Sequence, residues 1–397
     1  MFANSPTGSL VPIDGHDLRF GVWEHVAYLP HPLPAMTPEL TVTTFNAVAN
    51  ARAALAALDS SARRLPNPGL LRRPTLRREA QSTSALEGTH APLSAVLAAA
   101  EGEDPDDATL REVLNYVWAA EYAFDWHAEG RPLTVGLLAD LQGRLVRGLG
   151  VDSRRAGRLR DIQVMIGTHP GVRVQDARFV PPPPGTELEH RMRDLVEWIT
   201  SDHGSLIDPV VAAGMAHYQF ETLHPFVDGN GRIGRLLAVL HLMYSGVLSE
   251  PTLTISPWFE ARRADYYDRL LAVSATGDWD SWIRFFADGL AASAAETEQQ
   301  LTDLLAVQAD LKERVRSAGH RADNALRLVD FCLEQPIFTV RQAERHLGLS
   351  YPAANTWVNK LVAAGVLRRY DPTATYDRPF TAPDVLAILL RSALPAR

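Results

Sequence analysis

Apolar positions recur at helical spacing along most of the chain. Two strongly apolar segments, Val210–Leu223 and Leu236–Tyr244, flank a short polar stretch and therefore predict two buried helices joined by a tight loop. Residues 187–200 have one apolar and one polar face, which predicts an amphipathic helix. The same spacing predicts further helices over 38–57, 76–86, 108–127, 134–149 and 291–315.

Two segments depart from the helical pattern. Residues 1–36 are aperiodic and contain proline and glycine, and Tyr28–Pro34 is typical of an extended, polyproline-like chain. Two β-prone runs, Arg158–Gly167 and Val172–Val180, flank a glycine-containing turn, and this pattern predicts a β-hairpin. The expected fold class is therefore mostly α, with one hairpin ahead of the two buried helices.

The last part of the chain has its own order of elements. It predicts helices over 326–333, 340–347 and 353–364, then β-prone runs over 366–370 and 378–382. This order is typical of a winged helix-turn-helix. In the third helix the predicted inward residues are Trp357, Leu361 and Ala364, and the outward ones are Asn355, Asn359 and Lys360. With one outward lysine, the domain favours a protein partner over DNA, because affinity for a duplex needs several cations.

Composition limits the class of protein. The 397 residues are 46% hydrophobic and 22% charged, which is ordinary for a globular protein and allows two or three domains. No apolar run is long enough to span a membrane, and Met1–Val22 lacks a secretory pattern, so the expected location is the cytoplasm. Cys332 is the single cysteine, which excludes an internal disulfide, and a net charge of −8 argues against a nucleic-acid coat.

The polar stretch His224–Arg235 contains the features of an anion site. Gly229 and Gly231 allow backbone angles that other residues avoid, and they bring N–H groups to the start of the second helix, where anions bind. Arg232 and Arg235 stand three residues apart and share one helical face. Two planar guanidinium groups on one face suit phosphate oxygens.

Two further side chains of this stretch add reactive groups. Asp228 offers a hard oxygen of the kind that Mg²⁺ takes together with substrate phosphates. His224 titrates near neutral pH and can accept a proton from an attacking hydroxyl. With the anion site, they indicate chemistry on a nucleotide phosphate. The alternative is a glycine-rich turn between helices, with a capping aspartate and surface arginines.

The stretch resembles the H-P-F-x-[D/E]-G-N-G-R-x-x-R motif of the Fic (filamentation induced by cAMP) family at every fixed position. The resemblance implies a helical core that moves AMP from ATP, with Mg²⁺, onto a Thr, Ser or Tyr hydroxyl of a protein. It also implies that His224 is the base and that Asp228 is the metal ligand. The residues implied in nucleotide binding are Gly229, Asn230, Gly231, Arg232, Ile233, Gly234 and Arg235.

A second segment resembles an inhibitory motif of the same family. Thr83, Glu87 and Gly88 match the pattern [S/T]-x-x-x-E-[G/N], and Gly88 is a natural residue to follow a helix end. The resemblance implies that Glu87 represses transfer, and we expect its carboxylate to pair with Arg235. Without the resemblance, Glu87 would be an ordinary solvated surface residue.

The family resemblance also assigns the hairpin. In the family, a flap beside the active site aligns the target by strand addition, and the residues implied here are Val164, Met165, Ile166 and Gly167. An ordinary surface hairpin is the alternative. Tyr266 either stacks beside adenine or belongs to the core, and His217 is expected to be a core or surface histidine rather than a ligand.

The resemblance and the element pattern together predict four regions. They are an N-terminal helical extension with the inhibitory motif (1–107), a Fic catalytic core (108–290), a connecting helix (291–320) and a winged helix-turn-helix domain (321–397).

The leading hypothesis is an autoinhibited protein adenylyltransferase that uses ATP and Mg²⁺. Phosphoryl transfer is a rival, but the family branch that performs it typically has lysine at the position of Gly231. Other rivals are removal of AMP from targets, transfer of another nucleotide moiety, and a DNA-binding regulator with an idle core. The expected partners are a target protein and ATP. Self-modification and a homodimer stay open, and neither DNA nor a membrane is expected.

Overall fold

The computed structural model describes residues 2–17, 21–64, 69–99, 105–150, 154–167, 172–204, 206–320, 323–371 and 378–391. Over these ranges the chain is mostly α-helical, as predicted, and it forms two compact units. The first unit comprises residues 1–55, 115–249 and 258–292, and the second comprises residues 56–114, 250–257 and 293–397. No helix in the described ranges is both long and apolar enough to cross a bilayer.

The helices in chain order are α1 (Val42–Arg63), α2 (Gly69–Leu86), α3 (Leu93–Ala98), α4 (Ala108–Ala128), α5 (Val135–Leu145), α6 (Thr186–Thr200), α7 (Pro209–Leu223), α8 (Asn230–Tyr244), α9 (Ser256–Glu260), α10 (Arg263–Thr276), α11 (Trp279–Ser317), α12 (Asp323–Glu334), α13 (Val340–Leu347), α14 (Tyr351–Ala363) and α15 (Pro383–Leu390). The strands are β1 (Gly8–Asp17), β2 (Gly21–Pro30), β3 (Ile337–Phe338), β4 (Arg368–Arg369) and β5 (Phe380–Thr381). The helices predicted over 108–127, 187–200 and 340–347 are confirmed as α4, α6 and α13.

Helix α7 of the first unit is buried around almost its whole circumference, as its nearly continuous apolar sequence predicts. It begins where the Asp208 carboxylate accepts a hydrogen bond from the N–H of Val210, with Pro209 at the first helical position. It packs against α6 and α8. The close approach to α8 depends on Gly234, because a Cβ there would lie 2.3 Å from Oε1 of Glu221.

The prediction for residues 1–36 is wrong, because this segment contains an antiparallel hairpin. β1 pairs with β2 along its whole length. Exposed and less exposed residues alternate over most of β2, yet Val22 and Val26 lie on the exposed face while Trp23 lies on the other. Because apolar residues occupy both faces, the hydrophobic pattern does not show the period of two that marks a strand.

Helices α1, α2 and α11 extend beyond their predicted bounds, and α2 begins at Gly69 rather than at 76. α1 continues through Asp59, Ser61 and Arg63, where the sequence indicated a stop. The polar side chains there bond to other side chains and so do not compete for the main-chain hydrogen bonds of the helix. Nε of Arg63 lies 3.1 Å from Oδ2 of Asp59, and the Ser61 hydroxyl donates to the Glu298 carboxylate at 3.2 Å. α11 begins at Trp279 rather than near 291, so the predicted connecting helix is the later part of one longer helix.

In the described part of the predicted hairpin (158–167 and 172–180), the two runs are joined by one antiparallel bridge, between Ile166 and Phe179. The N–H of Ile166 donates to the Phe179 carbonyl at 2.9 Å, and the N–H of Phe179 donates back at 3.0 Å. A short 3-10 turn over Val174–Asp176 interrupts the second run, and the predicted turn at 168–171 lies outside the described residues. A small apolar cluster joins these runs to β1 and β2: Ala27, Val174 and Val180 with Val11, Ile13, Trp23, Met165 and Ala177.

Helix α2 of the second unit is fixed by three consecutive charged residues, all buried. A buried charge needs hydrogen-bonded partners, and each of the three has them. The partners are the Leu97 carbonyl and Gln335 for Arg77, Glu296 for Arg78, and the N–H and hydroxyl of Ser256 for Glu79. The helix is therefore part of the core of this unit.

The elements from α12 to β5 follow the predicted order, with β5 between β3 and β4 and antiparallel to both. Assignment to the winged-helix class stays a prediction. The predicted inward face of α14 is wrong at Trp357 and at Ala364, because the buried stripe consists of Ala354, Val358 and Leu361, while Ala364 follows the helix and is half-buried. Trp357 is half-buried and lies under Lys360, whose Nζ is 4.0 Å from the ring centroid. A cation–π contact of this kind lets an aromatic ring stay near the surface.

Candidate active site

The loop between α7 and α8 begins at His224. This residue adopts the left-handed conformation, with φ 47° and ψ 58°, and its N–H donates to the Phe220 carbonyl at 3.0 Å. Among the described residues, no other non-glycine residue has a positive φ. Nδ1 of the imidazole lies 3.4 Å from the main-chain oxygen of Glu221, which favours a proton on Nδ1 and a lone pair on Nε2.

The Asn230 side chain closes this loop on itself. Its Oδ1 accepts from the N–H of Phe226 at 2.8 Å, and its Nδ2 donates to the carbonyl of the same residue at 2.9 Å. Both Asn230 and Phe226 are buried. The resemblance implied nucleotide binding for Asn230, whereas the structure gives its amide a structural role in the loop.

Asp228 stands directly ahead of α8, and half of its side-chain surface is exposed. Its Oδ1 accepts from the N–H of Gly229 at 2.6 Å and lies 3.5 Å from a terminal nitrogen of Arg232. Gly229 has φ 82°, and a Cβ there would lie 2.6 Å from Cδ2 of Leu145, so glycine is needed twice over. Gly231 lies in the first turn of α8 and needs no such conformation.

Asp228 is the residue predicted to bind Mg²⁺, and the structure shows what surrounds its carboxylate. In the described part of the chain, no group of three or more His, Cys, Asp and Glu side chains could enclose a metal. Asp228 nevertheless presents a half-exposed carboxylate beside a helix N-terminus. Mg²⁺ commonly binds through one or two carboxylates and completes its shell with water and substrate phosphates.

Arg232 and Arg235 lie on one face of α8, and their exposed fractions are only 1% and 0%. Burial of two cations near the N-terminus of a helix is electrostatically unfavourable unless negative groups lie close. The predicted binding residues between them, Ile233 and Gly234, are buried too, and Gly234 contacts α7. The first turns of α8 therefore carry two buried guanidinium groups.

His217 connects α7, α8 and α10. Its Nδ1 donates to the Gly234 carbonyl at 2.9 Å, and its Nε2 accepts from the Tyr266 hydroxyl at 2.7 Å. Burial lowers the pKa of His217 to about 3, so the ring is neutral at ordinary pH. Tyr266 is fully buried, with its ring centroid 4.8 Å from that of Phe259. These contacts favour the core alternative for Tyr266 over stacking beside adenine.

The predicted flap residues are all described. Val164, Met165, Ile166 and Gly167 are each partly exposed. Nε2 of Gln163 donates to the carbonyls of Val164 and Pro181, both at 2.9 Å, and so holds the two runs together beyond the single bridge.

The inhibitory motif lies at the end of α2. The helix ends at Leu86, and Gly88 follows with φ 93°, as predicted for a residue after a helix end. Thr83 is buried and Glu87 is exposed. Glu87 belongs to the second compact unit and Arg235 to the first, and their pairing stays a prediction.

Two residues near the loop were not singled out from the sequence. Gln142 donates to the Asp228 carbonyl at 3.1 Å and accepts from the N–H of Gly157 at 2.7 Å. Its position on the apolar face of α5 could have indicated a structural role, because a polar side chain there needs buried hydrogen-bond partners. Arg160 is 2% exposed, and within the described ranges its side chain donates only to main-chain carbonyls, among them that of His224. An arginine in a β-prone run gives no such signal.

Two family models match the sequence. One is described as Fic/DOC family N-terminal and matches residues 45–125, and the other is described as Fic/DOC family and matches residues 132–242. The first match includes Thr83, Glu87 and Gly88, the three positions predicted to be inhibitory, and the second includes the whole loop and both buried arginines of α8.

Several relatives of similar sequence are named "Protein adenylyltransferase Fic". The one from Drosophila melanogaster is 31% identical over 217 residues, covering 55% of this chain and 38% of the relative. The one from Drosophila ananassae is 32% identical over 190 residues, covering 48% of this chain and 34% of the relative. A crystal structure of a Fic family protein from Desulfovibrio desulfuricans G20 matches 87% of this chain and 98% of its own, with a TM-score of 0.54 and 23% identity. Residues 45–125 and 132–242 of the chain are thus similar in sequence to the Fic/DOC family, and its fold is similar to that of a Fic family protein.

Proposed function

We propose that this protein transfers AMP from ATP to a hydroxyl group of a target protein. One observation carries the proposal: the loop at the start of α8 combines a histidine in left-handed conformation, a half-exposed carboxylate and a helix N-terminus with two buried arginines. The names of the Drosophila relatives support the same activity, although the matched region spans less than two fifths of their length.

In this mechanism His224 acts as the general base. The target hydroxyl oxygen attacks the α-phosphorus of ATP, and its proton passes to Nε2 of His224. The bond between the α-phosphorus and the oxygen that bridges it to the β-phosphorus breaks, and pyrophosphate leaves with the electron pair. The contact between Nδ1 and the Glu221 carbonyl supports the ring tautomer that this step needs.

The start of α8 supplies the positive potential for the phosphates. The first N–H groups of a helix have no intrahelical acceptor, so those at the start of α8 can point at an anion. Arg232 and Arg235 add two guanidinium groups in a site that excludes water from their surroundings. Fixed positive groups of this kind stabilise charge that develops during phosphate transfer.

Asp228 would hold Mg²⁺ through the carboxylate oxygen that does not bond to Gly229. When bound, Mg²⁺ neutralises charge on the phosphates and on the leaving pyrophosphate. Gln142 fixes the main chain of Asp228 through its carbonyl, so the carboxylate keeps its direction relative to α8.

The target segment is proposed to pair with the flap. Both main-chain groups of Ile166 are bonded to Phe179, and the main-chain groups of neighbouring residues in an extended chain point to the opposite side. The N–H and C=O groups of Met165 and Gly167 would therefore form the ladder with the target.

Glu87 is proposed to hold this activity down. The support is the match of Thr83, Glu87 and Gly88 to the family's inhibitory pattern, together with the helix end at Leu86. We therefore expect the wild-type protein to be a weak enzyme until this carboxylate is removed or displaced.

The test uses ATP that carries radioactive phosphorus at either the α or the γ position. The Glu87→Gly protein should label itself or added proteins from the α position and not from the γ position. Adding His224→Ala should lower that labelling by about 10²–10⁴-fold while ATP still binds. Labelling from the γ position would instead indicate phosphoryl transfer. The absence of labelling from any nucleoside triphosphate would refute the proposal.

A further inference from the structure

We infer that Arg160 is a positioning residue for His224: it holds the main chain at the end of α7 in the left-handed geometry that directs the imidazole. The inference rests on the proposed function for its kinetic consequence, but its structural basis is independent of that function.

Arg160 bonds to three consecutive carbonyls where α7 ends. Its Nε donates to the His224 oxygen at 2.8 Å, and its Nη2 donates to the Leu223 oxygen at 3.4 Å. Its own main-chain N–H donates to the Pro225 oxygen at 2.9 Å. The last carbonyls of a helix have no intrahelical donor, and a cation at this end also interacts favourably with the helix dipole. One residue thus satisfies the end of α7 and the first step of the loop.

The conformation that Arg160 holds is a strained one. A left-handed residue other than glycine is less stable than a right-handed one, although histidine tolerates this conformation better than most residues do. Such residues persist where the surrounding structure over-determines them, and they concentrate at functional sites. The bond to the His224 carbonyl acts directly on the peptide whose rotation would release the strain.

Arg160 also ties the loop to the flap. Its Nη1 donates to the Ile162 carbonyl at 3.2 Å, and its Nη2 bonds to the Pro182 carbonyl. Ile162 leads into the flap and Pro182 follows its second run, so one guanidinium spans both ends of the flap and the base. This connection would fix the distance between the His224 base and the hydroxyl of a target segment bound to the flap.

The guanidinium has no other assignment on the described part of the chain. No carboxylate pairs with it there, and its contacts are all with main-chain oxygens. A planar group with five donors in fixed directions can serve several carbonyls at once, whereas the ammonium group of lysine is a single point. Arginine is therefore required at this position by geometry as well as by charge.

The kinetic test compares Arg160→Lys and Arg160→Met with a matched control, Gln219→Met, all in the Glu87→Gly background. Gln219 is buried on α7 and donates to the His31 carbonyl at 2.9 Å, so its loss removes one buried bond to the main chain. Both Arg160 variants should lower kcat by about 10²-fold while KM for ATP is unchanged. The control should lose thermal stability with kcat and KM unchanged. A rise in KM for ATP with unchanged kcat would overturn the inference.

A crystal structure of Arg160→Lys decides the matter without any activity. Residue 224 should leave the left-handed region, and the imidazole should turn away from its present direction. A structure in which His224 keeps its φ and its ring position would overturn the inference, even if transfer were slowed. If Glu87→Gly itself transfers no AMP, the proposed function fails, while the structure of Arg160→Lys still tests the positioning role. Because the lysine keeps the charge, this variant also serves if Arg160→Met does not fold.

Discussion

Replacing Asn230 by alanine distinguishes between two possible roles of this residue, nucleotide binding and stabilisation of the loop. The resemblance implies that it binds the nucleotide, whereas its amide bonds to both main-chain groups of Phe226 at 2.8 and 2.9 Å. Asn230→Ala would leave a buried N–H and a buried carbonyl without partners, and each such group costs about 1–3 kcal/mol. Alanine regains about 0.5 kcal/mol as the better helix former. The expected net loss is therefore about 2–5 kcal/mol.

Thermal unfolding measures this loss directly. For a unit of roughly 150–250 residues, each kcal/mol corresponds to about 2–4 °C in Tm, so Asn230→Ala should unfold at least about 4 °C below the wild type. Asn230→Asp is a second comparison, because its carboxylate still accepts from the N–H of Phe226 but lies buried opposite the carbonyl oxygen of the same residue, where the two oxygens repel. Its Tm should therefore also lie below that of the wild type. If Asn230→Ala unfolds at the wild-type temperature while its KM for ATP rises, the side chain serves the nucleotide and the reasoning is refuted.

Three further changes test the site and its surroundings. Asp228→Ala should raise the Mg²⁺ concentration needed for half-maximal transfer, and an unchanged titration would assign the metal elsewhere. Glu87→Gly should raise incorporation of labelled AMP by about 10–100-fold, since a charge-assisted carboxylate bond is worth about 1.5–3 kcal/mol; Glu87→Asp should release it only in part, and equal rates for all three proteins would make Glu87 an ordinary surface residue. Burial lowers the pKa of His217 to about 3 from an ordinary value of 6.5, so its contribution to stability is complete above pH 6.5 and is lost as pH falls towards 3. The free energy of unfolding, measured in urea, should therefore fall between pH 7 and pH 5 by up to about 1.4 kcal/mol per pH unit more in the wild type than in His217→Gln. Equal slopes of this free energy against pH in the two proteins would contradict the neutral, buried imidazole.

The candidate site could be predicted because its main residues are close in sequence. His224, Asp228 and Arg232 are separated by one short loop, and residue types at fixed spacing define its geometry. The end of α2 could also be predicted from local sequence, because Gly88 readily adopts the positive φ that follows a helix end.

The residues that support the loop could not be found in this way. Arg160 and Gln142 reach it from distant parts of the sequence, and both bond to main-chain carbonyls, which every residue carries. The amino-acid type of the acceptor residue therefore gives no indication of the contact in the sequence. The N-terminal hairpin was missed for a different reason, since Val22 and Val26 face outward and hide the alternation of a strand.

The way α2 is built into the second unit bears on how the proposed regulation can change over evolution. Arg77, Arg78 and Glu79 are buried and bonded within that unit, and they lie between two and three helical turns before Glu87, which directly follows the helix. An inhibitory peptide at a chain terminus can be lost by truncation or removed by a protease. Removing this helix, in contrast, would leave several buried polar groups of the unit without their hydrogen-bond partners. Lineages of this protein should therefore gain or lose repression by point substitutions at Glu87 and its neighbours, with the helix itself retained.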